Sequence, residues 1–485
     1  MEDRTSRNVW KPKPGDVVLR RPRQAEIRPS VFRIPRPRPS ARSLASPRSL
    51  LIGALVLISV GTLLLSLPVS RDAQSFTPFV DALFTATSAV TVTGLVVTDT
   101  PTYWSTTGHA IILTLIVVGG MGWLTLAGFM LILLGQRLTL QQRLALKDSL
   151  GTTHIGGVIR LLQRIVLTFF FLQILGGAVL TLRFRSLFEW NWIQASWQGF
   201  FHAASGFNNA GFTILEESSS LDLFASDPVV LAVMGFLIIL GGLSFPVMAD
   251  VMRTRRFSRF GLDAKIVVSL SLVLWIVGAL VIFIVEFSEP HTLGSLALSD
   301  KLLNAFFQSV SSRAAGFSSV DTGLLVPSTA FFIIGLMFIG TASASVGGGI
   351  RLNTLGVLIA TVWTALRGRS DVTCFGRELS PEQVHRAIAV TTFAFTFVFL
   401  VAFVLTFTEE SRGQFINFLF EAVSAVGTVG LSRGVTSDLS GPGQLLIVLS
   451  MLVGRLGPLM LALALSQREL HPPLYRYARE RINIG

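Results

Sequence analysis

The chain has 485 residues, 51% of them hydrophobic and 14% charged, with a net charge of +12. Apolar runs of about 20 residues, the length that crosses a bilayer as a helix, recur along it, which excludes a soluble globular protein. Its single cysteine, Cys374, permits no intrachain disulfide, and no metal-ligand spacing stands out.

The first 48 residues form an Arg/Pro-rich basic tail with no core pattern, expected to be disordered. A long polar stretch precedes the first apolar run, which argues against a secretory signal; a transit peptide and an anionic-lipid contact both stay open. Eight spans then follow, at 49–68, 109–134, 160–182, 228–249, 266–287, 328–360, 384–408 and 444–467. The sixth is too long and too glycine-rich to be one clean helix. Most of the 40 lysines and arginines fall in 1–48, 135–165, 250–265, 364–388 and 466–485, while acids such as Glu216, Glu217, Asp222 and Asp227 fall between them. The positive-inside rule then places both termini in the cytoplasm, as an even number of spans requires. The basic charge is a topology signal that meets membrane lipids and needs no nucleic acid.

A motif recurs before each even-numbered span: FTATSAVTVTGL (84–95), FHAASGFNNAGF (201–212), FFQSVSSRAAGF (306–317) and FEAVSAVGTVGL (420–431). Each has a phenylalanine ten positions before Gly94, Gly211, Gly316 or Gly430, and all four motifs lie on the outer side. The apolar stretch before each glycine is too short to span and suits a half-helix that enters the membrane and returns; non-helical backbone at that depth must line a cavity or be buried. Preceding the glycines stand Thr91-Val92-Thr93, Asn208-Asn209-Ala210, Arg313-Ala314-Ala315 and Gly427-Thr428-Val429. These side chains are unequal, so backbone carbonyls must carry any shared chemistry. Four such strands around one axis give stacked carbonyl rings that replace a cation's hydration shell. The competing reading is four glycine turns on outer loops.

The expected fold is therefore an all-α polytopic membrane protein of four parallel helix–pore loop–helix repeats, eight transmembrane spans around a pseudo-fourfold pore. The repeats are 49–147, 148–260, 261–368 and 369–467, followed by a cytoplasmic C-terminus at 468–485. Arg313 is expected to turn away from the axis, toward Glu421, Asp321 or backbone carbonyls.

A second repeat lies in the even spans: Gly119-Gly120, Gly241-Gly242, Gly340-Thr341 and Gly454-Arg455. Small residues there suit close helix packing. Arg455 differs, because a mid-span cation costs about 2.5–3.5 kcal/mol on insertion scales, and it is expected below the glycine ring on the cytoplasmic side. In the sixth span, Gly340, Thr341, Ser343, Ser345 and Gly347-Gly348-Gly349 break helix propensity. A mobile plug and a static packing kink are both compatible with that break.

The set TVTGL, NNAGF, RAAGF and GTVGL, with the GGGI break and VGRLGP, resembles the Trk/Ktr/HKT superfamily of potassium transporters over about residues 49–470. With no extra helix pair before the first repeat, it is most like the Ktr type; the basic tail is a departure. The resemblance implies a homodimer with one K+ pore per protomer in the plasma membrane. It also implies a cytosolic ring of nucleotide-binding subunits as partner, with no cofactor in this chain and nucleotide only on the ring. It further implies an intramembrane gate at 340–353 beside Arg455. Gly94, where some plant members have serine, favours K+ over Na+.

A Na+- or H+-coupled symporter on the same scaffold is the alternative. An enzyme is not expected: there is no GxxxxGK[ST] loop and no HExxH, and His202 lies where packing suits it better than catalysis.

Overall fold

The computed structural model describes residues 47–122, 158–216, 220–343, 345–369, 371–409 and 415–457, with Pro14, Thr125, Phe129 and Ile132. Nearly all of the basic tail, the stretch 135–157, Glu217 and the C-terminal segment 468–485 lie outside the described residues.

Each of four longer helices is followed by two or three shorter ones. In chain order they are α1 (Pro47–Ser66), α2 (Phe79–Thr91), α3 (Thr106–Met121), α4 (Val158–Phe188), α5 (Trp192–Phe207), α6 (Pro228–Gly242) and α7 (Phe245–Thr254). There follow α8 (Leu262–Glu286), α9 (Leu298–Ser311), α10 (Pro327–Phe338), α11 (Leu352–Leu366), α12 (Pro381–Thr408), α13 (Phe415–Gly427) and α14 (Gly441–Leu456). Among the described residues, three helices are long and apolar enough to cross a membrane unaided: Ile159–Phe188, Leu262–Glu286 and Pro381–Thr408. Other apolar helices have 10–17 residues. The 13 to 16 residues of α2, α5, α9 and α13 give roughly 20–24 Å at 1.5 Å per residue, short of the roughly 30 Å hydrocarbon core.

Caps fix where several helices start. Asp227 accepts from the backbone N–H groups of Val229 and Val230 at 2.9 and 3.1 Å, with Pro228 in the first turn of α6. Ser380 and Gln383 form a reciprocal capping box at the start of α12.

Two expectations change. The span 228–249 is not one helix: α6 and α7 are bent by 102°. Leu243 leaves helical geometry, and Ser244 caps a new helix by accepting from Val247 N–H at 3.4 Å. Pro246 in that new first turn has no N–H to continue the old ladder. The fold is also not purely α. Thr373–Cys374 (β1) pairs antiparallel with Arg377–Glu378 (β2), joined by Phe375 and Gly376, both at positive φ (49° and 74°). A two-residue turn of that kind is what a tight hairpin demands, but two-residue strands are too short to leave a periodic signal.

The helices pack in a closed circle. Among the short helices α2, α5, α9 and α13, three touch the following helix of their own unit: α2 with α3, α5 with α6, and α13 with α14. All four touch the corresponding helix of the preceding unit: α5 with α3, α9 with α6, α13 with α10, and α2 with α14. The last contact joins the fourth unit to the first.

Candidate functional site

The short helices run directly into the glycine turns. After α2, α5 and α13 comes a non-glycine residue in the left-handed region, Val92 (φ 58°), Asn209 (φ 54°) or Thr428 (φ 48°). Two positions later come Gly94 (φ 92°), Gly211 (φ 71°) and Gly430 (φ 95°). A β-branched residue at positive φ costs of order 1–3 kcal/mol and persists only where its surroundings fix it. Here the N–H groups of Thr93, Ala210 and Val429 donate to the carbonyls of Ser88, Ser205 and Ser424 at 2.8, 2.8 and 2.9 Å. The N–H groups of Gly94 and Gly430 donate to the Ser88 and Ser424 hydroxyls at 3.0 and 3.1 Å. The Ser205 hydroxyl instead donates to Phe212 O at 2.8 Å.

The four glycines abut one another in chain order. A Cβ on Gly94 would strike Ala210 O and Gly211 Cα; on Gly211, Ala315 O and Gly316; on Gly316, Val429 O and Gly430; on Gly430, Thr93 O and Gly94 Cα. The ring closes on itself, with the carbonyl oxygens of Thr93, Ala210, Ala315 and Val429 set between neighbouring turns. The residues that lead into it, Thr91 to Thr93, Asn208 to Ala210, Arg313 to Ala315 and Gly427 to Val429, are all buried.

The third turn departs from the others. Gly316 keeps a positive φ (72°), but no left-handed residue precedes it, and Ala315 N–H donates to Ser311 O at 2.9 Å. The phenylalanine ten positions before the glycine, Phe306, is 40% exposed, whereas Phe307 is buried like Phe84, Phe201 and Phe420. The third copy is thus one residue shorter between helix and glycine, and the ungapped alignment on the glycines matched the wrong phenylalanine. Ser311 takes the place of Ser88, Ser205 and Ser424, and its hydroxyl donates to Phe317 O. These serines were not picked out in the sequence, although one stands six positions before the glycine in three copies.

Arg313 leaves the ring. Its Nη2 donates to Gly340 O at 3.0 Å, and its guanidinium carbon lies 5.6 Å from the Trp275 ring centroid, within cation–π range. The proposed carboxylates are engaged elsewhere: Glu421 accepts from Ser432 and, at 2.9 Å, from Thr436, and Asp321 accepts from Gly323 N–H at 2.8 Å. His202 is buried, with Nδ1 2.8 Å from Gln198 O and its ring edge-on to Phe184.

The small residues of the second repeat press on the backs of the turns. A Cβ on Gly119, Gly241 or Gly454 would meet the carbonyl of Val90, Phe207 or Val426. One position on, Gly120 lies against Asn208 and Gly242 against Thr341. Arg455 occupies that place in the fourth copy.

Between α10 and α11 the described residues are non-helical. Gly340 N–H donates to Ile350 O at 2.9 Å and Leu352 N–H to Thr341 O at 3.0 Å, which folds the segment back on itself. Thr341 and Ser345 share a hydroxyl contact of 2.7 Å, and Ser343 N–H donates to Asn353 Oδ1 at 3.2 Å. Gly347 lies against Ala314, Gly348 against Thr428, and Gly349 (φ 72°) against Gly427. The segment therefore sits directly on the third and fourth turns. Besides Arg313, two arginines hold it: Arg455 Nη1 donates to Val346 O and Nη2 to Gly119 O at 2.5 Å, while Arg351 Nη1 donates to Gly347 O. Arg351 was not singled out, though it directly follows the GGGI break. Beside the segment is a cavity of about 730 Å³ whose lining includes Asp263, Arg351, Asn353, Arg386 and Gly454.

Residues 53–472 match the profile of the family described as TrkH, cation transport protein. The chain is 40% identical to Ktr system potassium uptake protein B of Bacillus subtilis, over 87% of this chain and 93% of the relative. It is 36% identical to the Vibrio alginolyticus protein of the same name, over 94% and 98%. Its fold is similar to the crystal structure of the potassium transporter TrkH from Vibrio parahaemolyticus, with a TM-score of 0.68 at 17% identity, covering 89% of this chain and 87% of that one. This apolar, helical, multi-pass membrane chain belongs to the TrkH family of cation transport proteins.

Proposed function

We propose that the chain is the K+-selective, ion-conducting subunit of a K+ uptake system. The observation that carries this reading is the closed ring in which each glycine turn abuts the carbonyl oxygen of the next. Four carbonyls around one axis can replace the hydration shell of a cation, and no cationic side chain is needed in the ring. The short helices end at the ring with their C-termini, each equivalent to roughly half a negative charge, which favours a cation there. The filter comprises residues 91–94, 208–211, 313–316 and 427–430.

In this reading the helices make eight spans in four parallel repeats, 49–147, 148–260, 261–368 and 369–467, with both termini cytoplasmic in the plasma membrane. The segment 340–349 is an intramembrane gate closed against the third and fourth turns, and Arg455 and Arg351 latch it. The chain performs no bond-making chemistry and needs no cofactor of its own; K+ is its cargo. It acts as a homodimer with a cytosolic ring of nucleotide-binding subunits; that it works with a further component is supported by relatives whose names place them in a Ktr system.

The test is ion flux in proteoliposomes containing only this chain. K+ and Rb+ should pass well in preference to Na+. Equal Na+ flux would remove the selectivity assignment, and flux that stops unless Na+ or H+ gradients are present would favour the coupled symporter.

A further inference from the structure

A second cavity, of about 440 Å³, lies away from the ring, between α8, α11 and the β1–β2 hairpin. Its inner wall is apolar, with Ile266, Leu270, Ile359 and Ala360. Gly356 marks the deep end, since a Cβ there would strike Ile266. From Gly356 to Thr364 the wall is roughly 12 Å of helix at 1.5 Å per residue. The mouth is cationic and polar, with Arg367, Arg369, Thr373 and Cys374. The Arg367 guanidinium lies 4.5 Å over the Trp363 ring, and Trp363 is 55% exposed. An exposed indole beside arginine at a helix end marks the headgroup level of a membrane. Among the described residues, neither Arg367 nor Arg369 has an ion-pair partner.

We propose that this cavity binds an anionic phospholipid of the cytoplasmic leaflet, with one acyl chain between α8 and α11 and the phosphate on Arg367 and Arg369. A soluble anion would satisfy the mouth and leave the apolar wall bare. A second copy of this chain, meeting it through the same patch on both partners, would bring like-charged mouths together. The cavity is walled by α11, which directly follows the segment 340–351, so occupancy would bear on that segment; this consequence rests on the K+ reading, and the binding itself does not.

Cys374, the only cysteine of the chain, lines the mouth and reports occupancy. Burial pushes its thiol above the usual range, so labelling is run at alkaline pH. The full chain is placed in nanodiscs of phosphatidylcholine alone, or of phosphatidylcholine and phosphatidylglycerol in equal parts, and reacted with a soluble maleimide. Two arginines at about fivefold each set an expected slowing of about thirtyfold with the anionic lipid. Arg367→Gln with Arg369→Gln should abolish the slowing, and Arg367→Lys with Arg369→Lys should retain it. Equal rates in the two lipids would overturn the proposal. So would slowing that survives in the Gln pair, since the lipid's surface potential alone would then explain it. Protection by inorganic phosphate without anionic lipid would assign a soluble anion instead. Protection in both lipids with a Cys374–Cys374 cross-link would assign a second copy.

Discussion

Replacing Arg455 with alanine tests the latch at its strongest point. The substitution removes a charge and two hydrogen bonds, to Val346 O and Gly119 O. Hydrogen bonds to charged groups are worth about 1.5–3 kcal/mol each, and only the bond to Val346 O is to the segment 340–349, which therefore loses roughly 1.5–3 kcal/mol of restraint, less whatever water returns to the freed carbonyl. The charge adds a separate barrier. Two unit charges ~6 Å apart repel by roughly 3 kcal/mol at an effective dielectric of 20, which is about a hundredfold in rate. The assay is Rb+ flux in proteoliposomes, with wild type, Arg455→Ala, a deletion within 343–349, and both together. Arg455→Ala should raise flux by about ten- to a hundredfold. The deletion should do the same, and the double variant should add little, because both changes act on one barrier. Arg455→Lys, which keeps the charge and loses the fork geometry, should fall between. Unchanged or lower flux in well-folded Arg455→Ala would refute the latch and leave the arginine as a structural anchor.

Three further outcomes are expected. Ser424→Ala removes the hydroxyl that receives the Gly430 N–H at 3.1 Å; it should cost about 1 kcal/mol of stability and lower the K+/Na+ permeability ratio, whereas an unchanged ratio would make the serine a helix-end cap only. Arg313→Met strands the Gly340 carbonyl, so thermal unfolding in detergent should show a loss of about 1–3 kcal/mol, and no loss would mean that the Trp275 contact and the bond to Gly340 are incidental. Reversing Arg253, Arg255 and Arg256 together should weaken co-purification of a cytosolic ring partner more than it lowers membrane expression; equal losses would make these residues topology signals alone.

The glycine ring was legible in the sequence because a glycine recurs four times after a short apolar stretch, and all four sit at positive φ. The third copy was misread for a physical reason: side chains buried behind a turn tolerate a one-residue shortening when a neighbouring serine can take over the hydrogen bond, as Ser311 does. The break near Gly347 was visible as lost helix propensity, but its fold against Ala314 and Thr428 was not, since that contact joins residues far apart in the chain. The 102° bend after Gly242 lies in an apolar run whose hydropathy says nothing about backbone direction, and Ser244 and Pro246 were its signal in the sequence. Arg351 escaped notice because, inside the expected sixth span, nothing distinguished it from the glycine break beside it until its partner carbonyl is seen.

The most direct measurement of the central claim is the K+/Na+ permeability ratio, from reversal potentials, of Gly94→Ser against wild type. Gly94 sits at φ 92°, and its missing Cβ leaves room for Ala210 O and Gly211 Cα. A serine there must displace the ring, and losing about 1.4 kcal/mol of discrimination lowers the ratio about tenfold. The account predicts that fall in a protein that still folds and still conducts. A ratio unchanged from wild type would contradict it.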